Sequence, residues 1–378
     1  MNPLIQLNSE EGDILSFTLS GVNVSLANAI RRTVLSDIPL IVFKTSPYEE
    51  NRATIIKNTT RLNNEIIKQR LSCIPIHIKD PEQFPAKNYI MEVNVENLTD
   101  TTMYVTTEHF TIKDTNGNLL DQAKTREIFP PNDYTGNFID FVRLRPKVFE
   151  EKMPGEKIFG ETIHLTCEFS IGKARDDGCF NAVSTCSYGF TIDETARDTV
   201  LQKKIQSWKD EGKTAKEIDF ESKNWLLLDG KRIYKQDSFD FIIQSVGIHT
   251  NYELLDTTCD ILISHLDQLD TIIEKDELEI VSSLNTLENS FDIILDNDDY
   301  TIGKIIEYFL YARYYETQML TFCGYKKMHP HDAHSIIRVA YKDAVDQSTI
   351  KGHLKECVEN GKQVYLKLKK EFLKFVKR

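Results

Sequence analysis

Between residues 21 and 39 the sequence GVNVSLANAIRRTVLSDIP sets the apolar side chains Leu26, Ile30 and Val34 one helical turn apart. Asn23 and Ser25 supply oxygens that cap a helix start, and Pro39 stops the helix. Just upstream, Leu15, Phe17 and Leu19 alternate with polar residues, which predicts a half-buried strand leading into the helix. The same succession returns at a constant offset of 276, from Leu15 to Phe291. There Phe291, Ile293 and Leu295 alternate, Thr301 stands for Ser25, and Ile302, Ile306 and Leu310 take the helix stripe. A strand and a one-faced helix cannot bury that face alone, so two such units predict mutual cover about a pseudo-twofold axis. Strand followed by helix is a common succession, so periodicity by itself leaves a chance match open.

Between these units the pattern changes several times. Residues 60–74 read as a second helix with Ile67, Leu71 and Ile74 on one face, ended by Pro75. From 89 to 145 short alternating runs follow, carried by Val93 and Val95, Met103 and Val105, and Val142 and Leu144 around Arg143. A hairpin turn falls at Asn116-Gly117, and together these predict a small β-rich domain. Ile163, Leu165, Cys167, Phe169 and Ile171 alternate strictly, and we read them as the point where the chain re-enters its first domain. Residues 197–236 are charged and helix-prone, with a turn signal at Asp229-Gly230, before a strand at Phe239, Phe241 and Ile243. Leu255, Cys259, Leu262, Leu266, Leu269 and Ile273 form a long amphipathic stripe that closes the first domain. The acidic stretch 274–290 reads as a linker, although Leu278 and Ile280 can begin a strand. After the repeated unit come a strand at Ile337, Val339 and Tyr341 and a last amphipathic helix through Ile350, Leu354, Cys357, Val364, Leu368, Phe372 and Phe375. The expected organisation is thus α+β, with a discontinuous first domain at 1–45 and 160–275, an inserted β-rich domain at 46–159, and a second domain at 276–378.

Composition narrows the chemistry. With 378 residues, 40% apolar and 28% charged, the chain has the make-up of a soluble globular protein of two or three domains. A formal net charge of −12 argues against a surface that grips nucleic acid unaided. No stretch reads as a signal peptide or a membrane span, so an intracellular protein without membrane contact is expected. The seven cysteines contain no C-x-x-C pair and read as reduced thiols. His329, His331, Asp332 and His334 in MHPHDAH hint at a metal-dependent enzyme, but they flank Pro330 and lack a helical ligand motif. A turn with incidental histidines is the better reading. Phosphate loops and nucleophile elbows have no sequence support, and no cofactor is expected. Asp296, Asp298 and Asp299 suit the start of a helix better than a calcium loop. Lys362, Lys367, Lys369, Lys370, Lys374, Lys377 and Arg378 cluster positive charge at the C-terminus. They leave open a stand-alone nucleic-acid-binding protein against a plain solvated helix face. Arg31 and Arg32 cannot both face the apolar seam, so at least one projects outward, where a partner or plain solvent meets it.

These residues carry a family likeness. VSLANAIRRTVLSDIP resembles the signature helix of the RNA polymerase assembly subunits, namely bacterial alpha, archaeal D and the eukaryotic third-largest subunit. NTTRLNNEIIKQRLSCIPI resembles the second motif of that family, and the sequence from Phe239 to Ile273 resembles its closing strand and long helix. From about Leu278, DDYTIGKIIEYFLYAR, FCGYKKMHPH and SIIRVAY resemble the small partner subunit, called L in archaea and the eleventh subunit in eukaryotes. The resemblance implies two alpha-subunit-like dimerisation modules fused into an intramolecular pseudo-dimer, an arrangement reminiscent of polymerases from large DNA viruses. It departs from the family in two places. Residues 80–159 hold no cysteine for a metal loop, and 197–236 is longer and more charged than the family pattern.

The function implied is a non-catalytic assembly platform of a multisubunit DNA-directed RNA polymerase, without sequence-specific DNA contact of its own. It would work in the nucleus or, for a viral protein, in host cytoplasm and virion. Leu26, Ile30, Val34, Ile302, Ile306, Phe309, Leu262 and Leu266 would form the internal interface. Asn28, Arg31, Arg32, Arg70, Leu71 and Pro75 would dock the second-largest subunit. The L-like half and residues 186–190 would lie nearer the largest subunit, with small assembly subunits as further partners.

Overall fold

The computed structural model describes residues 1–146, 160–284 and 286–376. Alternation at Leu15, Phe17 and Leu19 produces the strand β2 (Ile14–Ser20), which pairs with β1 (Leu4–Glu11) and feeds the helix α1 (Val24–Ser36). The chain continues through β3 (Leu40–Val42), β4 (Ala53–Asn58) and α2 (Asn64–Ser72), whose start is capped by Asn63 accepting from the Ile66 N–H. Next come β5 (Tyr89–Glu96), β6 (Met103–Thr106), β7 (Thr111–Asp114), α3 (Gln122–Ile128), β8 (Asp140–Leu144), β9 (Thr162–Glu168) and β10 (Ser170–Gly172). β11 (Val183–Ile192) precedes two helices, α4 (Glu194–Asp210) and α5 (Ala215–Leu227), then β12 (Tyr234–Ser245) and α6 (Asn251–Glu274). The last part holds β13 (Ile280–Ser282), β14 (Ser290–Asp296), α7 (Tyr300–Leu310), β15 (Leu320–Lys326), β16 (His334–Tyr341) and α8 (Gln347–Val376).

Contacts divide the chain into two units. The first comprises Met1–Leu35, Thr185–Gln244 and everything from Asn251 onward. It contains two four-stranded sheets of the same connectivity, β1-β2-β12-β11 and β13-β14-β16-β15. In each, the second strand leads into a short helix, α1 or α7, and the strand beside it leads into a long one, α6 or α8. The register matches as well: Ile14 faces Gln244 and Ser20 faces Ser238, while Ser290 faces Ala340 and Asp296 faces His334. A register held across seven residues in both sheets is set by which side chains must be inside, since a slip of one would turn every apolar residue outward.

The long helices α6 and α8 lie along each other. Their stripes bury Leu262, Leu266, Val358, Tyr365 and Leu368 almost completely. Gly361 of α8 is where the approach is closest: a Cβ there would stand 3.1 Å from Leu266 and within 3.6 Å of Ile305 and Phe309. Across the rim, Lys362 pairs with Asp267 and Asp270, and Lys369 with Asp256 and Asp260. The Tyr365 hydroxyl reaches the Leu26 carbonyl of α1 at 3.4 Å, and Phe372 meets Phe17 of β2 edge-on at 5.6 Å.

The second unit comprises Ser36–Ser184 and Ser245–Thr250. Its main sheet has the order β4-β9-β5-β7, beside the pairs β10-β3 and β6-β8. Phe43, Leu71, Met91, Val93, Phe110, Phe141, Leu144 and Leu165 form one buried cluster. Here the sequence-based boundaries need correction. Residues 162–168, read as a return to the first domain, pair with β4 and β5, with Leu165 opposite both Ile55 and Val93. Alternation reports that a strand has one wet face but not which neighbours it pairs with. Likewise β3 joins β10, so the first unit leaves off at Leu35 and resumes at Thr185. The stretch read as a linker at 274–290 holds the edge strand β13, anchored by the buried Leu278 and Ile280.

Candidate functional site

The residues predicted to form an internal seam all lie in the first unit. Leu26, Ile30 and Val34 on α1, Ile302 and Ile306 on α7, and Leu262 and Leu266 on α6 are all nearly inaccessible, and Phe309 is half-buried beside Gly361. The two short helices begin in the same way. The Ser25 N–H donates to Asn23 Oδ1 at 2.9 Å, and the Thr301 N–H donates to Asp299 Oδ1 at 2.7 Å. In both, a side chain two residues upstream satisfies a backbone donor that the first helical turn leaves open.

The predicted docking residues fall in both units. On α1, Asn28, Arg31 and Arg32 are half-buried, and Arg31 Nε donates to Asn28 Oδ1 at 2.9 Å. Arg31 lies in the neighbourhood of Cys186 and Tyr188 on β11. Burial pushes the Cys186 thiol up to about 12 and raises the Tyr188 phenol, while the arginine's charge pulls each back a little. Arg32 turns toward α7 instead. Its Nε donates to Thr301 Oγ1 at 3.0 Å, and its Nη2 pairs with Asp299 Oδ2 at 2.8 Å. That guanidinium therefore ties the α1 helix to the N-terminal cap of α7, a contact the sequence reading missed. The signal available was an acidic residue one position before the second apolar helix.

Beside these residues Val24, Ser25, Asn28, Tyr188, Lys304, Glu307, Tyr308 and Tyr311 enclose a groove of about 390 Å³. It draws on α1, β11 and α7 together.

In the second unit Arg70 donates from Nε to the Phe141 carbonyl at 2.6 Å and from Nη2 to the Asp140 carbonyl at 2.8 Å. The β6–β8 pairing shifts register between Val105 and Thr106, leaving Phe141 as the extra residue of a bulge, and this frees backbone acceptors for Arg70. Leu71 belongs to the buried cluster, so its side chain supports α2 from inside. Pro75 is half-buried at the exit of α2.

Among the described residues no group of three or more His, Cys, Asp or Glu side chains could hold a metal ion. His329, His331 and His334 belong to the connection from β15 into β16. The turn is closed by the His329 N–H donating to Asp332 Oδ2 at 2.9 Å and the His331 N–H donating to His329 Nδ1 at 3.1 Å. Of the C-terminal cations, Lys362 and Lys369 face the carboxylates of α6, and Lys377 and Arg378 lie outside the described residues. No described helix is long and apolar enough to cross a membrane.

Residues 16–266 match the RNA polymerase Rpb3/Rpb11 dimerisation domain, and the chain belongs to that family. Among individual proteins it is similar to the DNA-directed RNA polymerases I and III subunit rpac1 of Dictyostelium discoideum, 26% identical over 187 residues, which cover 49% of this chain and 51% of that protein. It is also similar to the DNA-directed RNA polymerase subunit Rpo3 of Pyrococcus furiosus, 35% identical over 72 residues, or 19% of this chain and 25% of that one. The human DNA-directed RNA polymerases I and III subunit RPAC1 is 32% identical over 74 residues, 20% of this chain and 19% of its own. The chain thus spans about half or less of the length of these three relatives.

Proposed function

We propose that the protein is a non-catalytic assembly platform of a multisubunit DNA-directed RNA polymerase, and that its first unit is an intramolecular pseudo-dimer. The family match ends at residue 266, so the L-like half rests on other grounds. The observation that carries it is the pair of sheets β1-β2-β12-β11 and β13-β14-β16-β15, each with a short and a long helix in equivalent places. Two separate subunits would have to find each other; joined in one chain they meet at an effective concentration on the order of millimolar. The second unit is then an insertion between α1 and β11, and the α4–α5 hairpin occupies the place that the MHPHDAH turn takes in the other half.

In this reading the partners are the largest and second-largest polymerase subunits and further small assembly subunits. Asn28, Arg31 and Pro75 are half-buried and Arg70 exposed, which leaves them able to meet the second-largest subunit, and the L-like half lies nearer the largest. Stable contacts of this kind bury upwards of ~2,000 Å², with arginines and aromatics as anchors. The protein works inside the cell, where its polymerase works.

Affinity purification of the tagged chain from its native source tests this. Two very large polymerase subunits are expected in stoichiometric amounts; their absence overturns the proposal.

A further inference from the structure

On the second unit, Arg61, Arg70, Arg143 and Arg145 converge on one groove of about 330 Å³, lined also by Leu62, Tyr104, Phe141 and Val142. Among the described residues Asp140 and Glu161 are its only acidic lining residues. Glu161 is nearly buried and taken up by Arg145, accepting from its backbone N–H at 2.6 Å and its Nε at 2.5 Å. Arg70 is held by the bulge carbonyls of β8, as described above. Arg61 and Arg143 are exposed, and neither meets a carboxylate within ion-pair distance among the described residues. Arg143 sits directly opposite Tyr104 in the β6–β8 pair, and Tyr104 is 54% exposed.

We propose that this groove receives an extended acidic segment of a partner protein. Among the described residues, four guanidiniums against two carboxylates, one of them already engaged, leave a local positive excess in a chain of net charge −12. Arg143 and Arg145 are two positions apart, about 7 Å in extended chain, the spacing of alternate carboxylates along a strand. Planar guanidinium forks suit such carboxylates. The intervening side chains of the segment rest on Leu62 and the Tyr104 ring. That apolar floor favours a peptide over a nucleic acid, whose binding calls for a longer basic track and is opposed by the acidic balance of the whole chain. That the segment belongs to a polymerase subunit rests on the proposed function; the chemistry of the groove does not.

The test is fluorescence anisotropy of a short labelled peptide alternating glutamate with leucine, titrated with the full chain. Saturable binding is expected, weakened by salt and by about tenfold in the Arg61→Ala/Arg143→Ala double variant, with no binding of the same peptide carrying glutamine for glutamate. Both arginines are exposed, so an unchanged unfolding temperature accompanies the loss. Equal binding by the double variant or by the glutamine peptide overturns the inference, and so does tighter binding of a single-stranded RNA oligonucleotide. Polymerase subunits absent from the purification while the peptide still binds would count against the platform alone.

Discussion

The two halves of the first unit keep their inner faces alike and differ on their outer ones. At the offset of 276, Leu26, Ile30 and Val34 of α1 correspond to Ile302, Ile306 and Leu310 of α7, all of them buried. Asn28, Arg31 and Arg32 correspond to Lys304, Glu307 and Tyr308, which share neither charge nor shape. An apolar stripe answers to one requirement, the exclusion of water from a buried face, and that requirement is the same for both halves. Outer positions answer to whatever each half meets, and there the halves have become different.

The comparison breaks most sharply at the seam. Leu266 of α6 is fully buried and lies 3.1 Å from the Cβ position of Gly361 in α8. Leu266→Ala is expected to cost about 2–5 kcal/mol in urea unfolding of the full chain. A loss under ~1 kcal/mol would mean that the long helices do not share a core.

A smaller break lies where one half departs from the other on an inner face. Ala27 in α1 is matched by Gly303 in α7, and a Cβ at Gly303 would stand 2.0 Å from the Tyr325 ring. Gly303→Ala should therefore destabilise by about 1–3 kcal/mol, although alanine favours helix, because the ring has to move. Combining it with Tyr325→Ala should recover part of that cost, and failure to do so would locate the strain elsewhere.

How much of this was written in the chain follows from the same distinction. The buried stripes of α1 and α7 were legible because burial imposes a period, and the period survives the change from Leu to Ile. The strand of residues 162–168 was legible as a strand and misplaced among the sheets, because its partners Ile55 and Val93 lie far away in sequence. Arg31 and Arg32 were legible as a pair of which at least one leaves the apolar stripe; the pairing of Arg32 with Asp299 spans 267 positions, and its one trace in the sequence is the acidic residue before the second apolar helix. The arginine groove of the second unit was visible only as Arg143 between two valine-like neighbours, since Arg61 and Arg70 reach it from another element.

The caps sharpen the comparison further. Asn23 caps α1 and does nothing else in its half that Asp299 does for α7, whereas Asp299 both caps α7 and receives Arg32. Asn23→Ala should cost about 0.5–1 kcal/mol, within the range of a single cap. Asp299→Ala should cost about 1 kcal/mol more, because it also leaves Arg32 without its carboxylate. Arg32→Ala should remove only the smaller ionic part, as its side chain is 32% exposed. A double-mutant cycle on Arg32 and Asp299 measures that part directly, and a coupling of zero would make the contact incidental. Any loss of polymerase assembly in Arg32→Ala therefore has to be read against this internal bond.

The smallest effect concerns one cross-strand pair. Ser16 opposite Ile242 in the first half is replaced by Asp292 opposite Arg338 in the second. Arg338 donates to both Asp292 oxygens, at 2.6 and 2.7 Å, and this pairing holds the Asp292 carboxyl below its usual range against the opposing effect of burial. An acid whose folded value is depressed contributes stability above its unfolded value of about 3.9, and the contribution fades as pH falls through the folded value. Asp292→Asn should thus be less stable than the unmodified chain at neutral pH, and the two unfolding free energies should converge as the solution is acidified below about pH 4. The corresponding change in the first half, Ser16→Ala, should shift stability by the same amount at every pH, since no ionisable partner faces it across the strands. Parallel curves for Asp292→Asn would show that the ion pair is neutral in its effect on folding, and that the second sheet is held, like the first, by its buried face alone.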